Sequence, residues 1–382
     1  MMKKIVLYLT ASLFALSSCT NDDKYSWDED FADLTASDTI TVNISYNGSS
    51  VSVSGDTQGF VSCDGASVTV KSATNKFLQL VLSGTTSNGS LLVYSWKKFG
   101  IVLNGISLTN PIGPAINNQC GKSLIVKLAD GTVNTLSDGT AYGVAPLSLT
   151  GDTIDQKGTL FSEGQIFIQG SGALTINGNA KNGIASDDYV VMESGTVNVN
   201  VASTGSNGIK VKDGFSISGG TLSIDVKADG ARGIRSSSFT RINGGTTTIN
   251  TSGDCLIETI DGVNDTTSCA GIKSDSLFTM TAGLLTITSS GDGGKGLNSD
   301  QNIEQSGGTL TVTTTGSNNY GKPKAVKSET GIILSGGSFK AKTNKSWACD
   351  NGVDTENPQE RVTIIGTPSQ ASFYKREVTV VF

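Results

Sequence analysis

Charged residues recur at a fixed spacing in this chain. Between residues 183 and 340 a unit built on Gly-Ile returns as GIASDD, GIKVKD, GIRSSS, GIKSDS, GLNSDQ and AVKSET. The residue after the isoleucine, or its equivalent, is Ala185, Lys210, Arg235, Lys273, Asn298 and Lys327. Two residues further on stand Asp187, Lys212, Ser237, Asp275, Asp300 and Glu329. Positions i and i+2 of a strand face the same side, so cations and carboxylates share one ribbon. Such a ribbon suits a long acidic polymer, with cations facing its carboxylates. The bland alternative is a solvated face whose opposite charges offset each other, since exposed pairs add little stability. The ligand-binding candidates are Lys210, Arg235, Lys273, Lys327 and Asp187, joined by Trp347 from the irregular C-terminal end. Tyr94, Trp96, Tyr189 and Tyr320 are the other candidate aromatic platforms; all five fit cap packing equally well.

A second acidic set lies before the Gly-Ile units. Asp229 and Asp292 each stand four residues ahead of their glycine, Gly233 and Gly296. With Asp275 and Asp300 they are the metal-ligand candidates. Calcium takes about six to eight oxygens at about 2.3–2.6 Å, which adjacent repeats could supply jointly. Asp and Gly also favour turns without any metal. Histidine is absent, which removes Ser-His and Cys-His nucleophile pairs, imidazole bases and histidine metal sites. β-Elimination of a uronate does not need histidine. Lys273 is the candidate base for it, although neighbouring carboxylates favour its charged form unless calcium occupies them.

The elements that carry these residues follow from the repeat. Gly183, Gly208 and Gly233 are 25 residues apart, as are Gly271 and Gly296. In GIKVKDGFSISGGTLSIDV, Ile209 starts one short strand, Phe215 and Ile217 share a face of a second, and Leu222, Ile224 and Val226 share a face of a third. Gly219-Gly220 supplies the corner between the last two, where positive φ is needed. Stacked units give inward ladders: Val190, Phe215, Phe278, Ile303 and Ile332 in one, and Val197, Leu222, Leu285, Leu310 and Phe339 in another. A period of this size with three strands and no helical segment predicts an all-β fold, a right-handed parallel β-helix of about 25 residues per coil with N- and C-terminal caps. Propeller blades need about 40 residues each.

Around this core the chain divides as follows. Lys3 and Lys4 precede an apolar run, Ile5–Leu16, too short to span a membrane. Residues 1–18 therefore read as a signal peptide. The small residues before Cys19 resemble a bacterial lipobox, which makes Cys19 the lipidated first residue of the mature chain. The acidic segment after it is similar to the surface-export signal of Bacteroidetes lipoproteins, and 19–37 reads as a tether. These features predict a lipid-anchored, surface-exposed outer-membrane protein. Residues 38–112 are read as an N-terminal cap with irregular coils, 113–345 as the repeats with an insertion at 254–268, and 346–382 as a C-terminal cap. Net charge is −6, which gives a nucleic-acid partner no electrostatic support. Five cysteines follow Cys19: Cys63, Cys120, Cys255, Cys269 and Cys349. Cys255 and Cys269 bracket the insertion, where either a loop-closing disulfide or buried free thiols fit.

The stretches FGIVLNGISLTNPIGPAI, LIVKLADGTVNTLSDG, ALTINGNAKNGIASDD and GGTLSIDVKADGARGIRS resemble a bacterial carbohydrate-binding β-helix family, similar in fold to calcium-dependent pectate lyases. The resemblance runs over about residues 75–345. It implies bound calcium and binding of cellulose or acidic sugars, with no motif that fixes the sugar-contacting residues. The expected function is a non-catalytic, calcium-assisted polysaccharide binder for plant-type or acidic glycans. A calcium-dependent uronate lyase and a structural adhesin are the alternatives.

Overall fold

The computed structural model describes residues 38–260 and 263–382. Cys19, the signal peptide and the tether lie outside the described residues. The rest is a parallel β-solenoid of about 11 turns. Each regular coil contributes three strands, as in Arg232–Ser236, Phe239–Ile242 and Thr246–Thr251. We call the sides they build the first, second and third faces.

Alternation explains the core. On the third face Val197, Leu222, Thr247, Leu285, Leu310 and Phe339 stack in register. On the second, Val190, Phe215, Thr240, Phe278, Ile303 and Ile332 do the same. Both ladders match the sequence reading except in one coil, where Thr240 and Thr247 enter a core that fully buries them. Thr240 Oγ1 is 2.6 Å from Ser274 Oγ, which satisfies it; Thr247 Oγ1 has no partner. The second glycine of the corner pair has positive φ, 78° at Gly220 and 70° at Gly245, a conformation open to glycine at little cost.

The glycine of the Gly-Ile unit has a different cause. A Cβ on Gly271 would sit 2.2 Å from Ile287 Cγ2, and one on Gly296 would sit 2.1 Å from Val312 Cγ1. The next coil carries Ala325 instead, and the residue stacked on Val312 there is Ala341. Glycine faces a β-branched residue and alanine faces alanine, so a methyl is admitted here only where the residue opposite is small. The serine that ends most first-face strands also has a structural task. Ser186, Ser236 and Ser328 are buried and donate to Gly164 O, Phe239 O and Gln301 O at 2.8–2.9 Å, satisfying carbonyls at the corner that follows.

Antiparallel hairpins close both ends. Thr39–Asn47 pairs with Ser50–Ser54 at one. At the other, Ser338–Thr343 pairs with Glu377–Val381, which pairs with Gln370–Tyr374. Covering terminal coils in this way removes open edges for further strand addition. The insertion is a third hairpin, Leu256–Ile260 with Val263–Thr267.

Candidate functional site

The first face holds the charged ribbon. Ala185, Lys210, Arg235, Lys273, Asn298, Lys327 and Asp350 occupy one outward column in strict register. The predicted ligand cations thus stack on one line. The acids of the neighbouring column answer them diagonally. Arg235 Nη2 lies 2.6 Å from Asp275 Oδ2. Lys273 Nζ lies 3.6 Å from Asp275 Oδ1 and donates to Asp300. Lys327 donates to Glu329. Asp187 is 2.5 Å from Lys157 Nζ, which also lies 2.5 Å from Asp155. Among the described residues Lys210 and Lys212 make no ion pair. With Lys157 and Asp187 they line a cavity of about 300 Å³ above the small Ala185.

A further cationic column was not legible in the sequence. Arg232, Ala270, Lys295 and Lys324 stack one residue ahead of the Gly-Ile glycine. Plain alternation assigns Arg232 the same side as buried Ile234. The tightly packed glycine between them bends the strand and turns the charged side chain outward. The one available signal was the basic residue before Gly233, Gly296 and Ala325. Lys324 is bonded to Asp350, but Arg232 and Lys295 have no carboxylate partner among the described residues. Arg232 donates through Nη1 to Gly230 O at 2.6 Å, and its Nε has no partner. Lys295 donates to Ser268 Oγ at 3.0 Å. Burial, then the Lys327 ammonium, with weaker repulsion from Lys273 and Arg232, pulls the Lys295 pKa below the ordinary lysine value. Burial and then Arg235 act likewise on Arg232. Ala270, only 2% exposed, separates the two cations in the column.

The inserted hairpin flanks this column. Leu256 packs against the corner at Gly230, where an added Cβ would lie 2.7 Å from Leu256 Cβ, and Ser268 at its far end receives Lys295. The disulfide considered for Cys255 and Cys269 is not formed; both are buried free thiols. Cys255 Sγ donates to Asp292 O at 2.9 Å, and Cys269 Sγ lies 3.3 Å from Asp254 O. Burial pushes the Cys269 thiol up to about 11.

The metal-ligand candidates fall into two separate ladders. Asp229 Oδ1 accepts from Asp254 N at 2.8 Å, Asp254 Oδ1 from Asp292 N at 2.7 Å, and Asp292 from Asn319 N at 3.1 Å. Each corner carboxylate thereby caps an amide of the next coil. Asp275 and Asp300 belong instead to the ribbon, on Arg235 and Lys273. Three other acids do converge. Oxygens of Asp155, Glu163 and Asp187 lie within 4.8 Å of one another. Burial, then Asp187 and Asp155, raises the Glu163 pKa. Hard oxygen donors of this kind suit calcium, and Lys157 stands in contact with two of them.

Trp347 precedes Cys349–Asp350, which pairs with Val326 and Lys327, so it caps the end of the first face. The Arg361 guanidinium lies 4.0 Å and the Lys375 ammonium 4.4 Å from its ring centre. The three line a cavity of about 460 Å³ with Lys322 and Lys324. Ser346 just before it has φ 62°, a strained conformation for a residue with a side chain.

Fold and face together define a β-solenoid whose first face carries a charged ribbon. The family described as carbohydrate-binding domain-containing proteins matches residues 64–259 and 230–319, more than half of the chain, and the chain belongs to that family. A carbohydrate-binding domain-containing protein of Acetivibrio thermocellus is 32% identical over 121 residues, 31% of this chain and 40% of the relative. The chain therefore spans less than half of that relative's length. A solved structure, the gadolinium derivative of a polysaccharide lyase-like protein from C. thermocellum, is similar at 24% identity with a TM-score of 0.48, over 63% of this chain and 92% of that one.

Proposed function

We propose that this protein is a non-catalytic binder of acidic polysaccharides, and that the first face is its ligand surface. The observation that carries the reading is the Arg232–Lys295 pair. Two half-buried cations without carboxylate partners, stacked in one column, are costly in isolation and gain from an arriving carboxylate. The register of Lys210, Arg235, Lys273 and Lys327 supports an extended ligand rather than a single sugar. Calcium assistance is proposed at Asp155, Glu163 and Asp187, where it would have to displace Lys157; the bound ion would offer a positive charge to the glycan. Membrane attachment through a lipid on Cys19 remains part of the proposal. Loss of labelled fatty acid in Cys19→Ala, with release of the protein from the outer-membrane fraction, is its expected signature.

The lyase alternative assigns Lys273 as base. Its ammonium is engaged by Asp275 and Asp300 and offers no lone pair for proton abstraction, which favours the binder. Incubation with polygalacturonate and calcium separates the two. Retention of the protein on the polymer without ultraviolet-absorbing unsaturated product is expected. Product that vanishes in Lys273→Ala overturns the non-catalytic reading, and absence of both across neutral and acidic glycans leaves the adhesin.

A further inference from the structure

The first face continues beyond the charged ribbon towards the N-terminal end, where its chemistry changes. Val93 O accepts from Gln119 N, Asn118 O from Glu163 N, Ser162 O from Asp187 N and Ser186 O from Lys212 N. One outward column therefore runs Tyr94, Gln119, Glu163, Asp187, Lys212, a coil at a time. At its start Tyr94 and Trp96 line a cavity of about 350 Å³ together with Lys71, Ser72 and Leu149. Trp96 is 66% and Leu149 61% exposed, unusual for large apolar side chains. Ser72 lines the same cavity, is only 7% exposed, and its Oγ has no partner. An aromatic platform with a few polar groups at its edge suits a ring that has an apolar face and a hydroxylated rim.

We propose that this cavity is a sugar-stacking subsite for the polysaccharide held on the ribbon, with one pyranose ring lying on Trp96 and Tyr94. The inference rests on the binding role proposed above. Its occupant is fixed by continuity: the cavity and the ribbon share one outward column of one sheet. Five coil steps from Tyr94 reach the level of Arg235, about 24 Å at the usual strand spacing. An extended chain of pyranoses advances by a similar distance per ring as the solenoid does per coil, so about six sugars cover both sites. Trp96 supplies stacking that is indifferent to charge, whereas the ribbon supplies charge recognition.

The test uses oligogalacturonates of graded length and the full chain. In Trp96→Ala, chains of about eight sugars should bind roughly tenfold more weakly while trimers are unchanged, and Trp96→Phe should restore most of the loss. With Trp27→Phe and Trp347→Phe, Trp96 is the sole tryptophan of the three, and long chains alone should shift its emission. Equal affinities in wild type and Trp96→Ala, with binding still lost in Arg232→Gln, overturn the subsite and leave the ribbon. Equal losses for trimers and long chains overturn the continuity of the two sites. Failure of the wild-type protein to bind any length overturns the ribbon reading itself.

Discussion

The first and third faces share one scaffold and differ in what they turn to solvent. Both bury a ladder of aliphatic and aromatic residues and pair in parallel from coil to coil. Outward, the third-face strands Thr196–Val201, Thr221–Val226, Thr246–Thr251, Leu284–Ser289 and Thr309–Thr314 carry a single charge, Asp225. Their columns are threonine, asparagine and serine, which suit a pleated surface and need no partner beyond water. The first face over the same coils carries Lys210, Arg232, Arg235, Lys273 and Lys295 with the acids beside them. Packing demands charge on neither face. The contrast therefore separates residues the solenoid needs from residues it merely displays, and it is why ligand chemistry is proposed for the first face.

The sharpest way to break this contrast is to neutralise the unpaired cations. Arg232→Gln with Lys295→Gln should weaken acidic-glycan binding by about 2–3 kcal/mol, the scale of hydrogen bonds to charged groups, as read by calorimetric titration. Thr248→Ala with Thr286→Ala on the third face should change it by less than about 0.5 kcal/mol.

A steric prediction tests the shared scaffold. Gly271→Ala should cost about 1–3 kcal/mol of stability through its clash with Ile287. Adding Ile287→Ala should cost less than the two single changes sum to in denaturant melts, because the pair then copies Ala325 and Ala341. A first-face glycine that tolerates alanine without the second change would remove the packing explanation.

Two pH effects sharpen the comparison further. Lys295 must be charged to attract a carboxylate, and its pKa is lowered by burial and cationic neighbours. Affinity should be full at neutral pH and fall as pH rises through that lowered value, before ordinary lysines titrate; Lys295→Arg should hold affinity to higher pH. Asp188 is pushed up to about 6 by burial and then by Asp213 in the next coil. A carboxyl raised in the folded state stabilises fully below its unfolded value, and this contribution is lost as pH rises through about 6. Asp188→Asn should therefore raise stability at pH 7 by about 1 kcal/mol after allowing for solvent screening, seen as a higher melting temperature, and flatten the profile between about pH 4 and 6.

Much of this was readable from alternation alone. Period two puts Phe215, Leu222 and Leu310 inside and Lys210, Arg235 and Lys327 outside, and the structure has them there. Alternation fails at the Gly-Ile kink, which hides Arg232 and Lys295, and at Thr240 and Thr247, whose chemistry does not announce burial. Asp155 and Glu163 escaped notice because the coil before them departs from the 25-residue spacing. Their meeting with Asp187 is a product of stacking, not of sequence distance. Trp347 was a ligand-binding candidate from its type alone; Arg361 and Lys375 stack against its ring. Its N-terminal counterpart Trp96 is the open one.

The central claim is that two cations on the first face without carboxylate partners recognise a polymer carboxylate. Its most direct test is titration of an oligogalacturonate into wild type and the Arg232→Gln, Lys295→Gln variant at low and high salt. The account predicts tight, salt-sensitive binding in wild type, with both affinity and salt dependence sharply reduced in the variant. Equal affinity and equal salt dependence in the two proteins, with both folded, would contradict it.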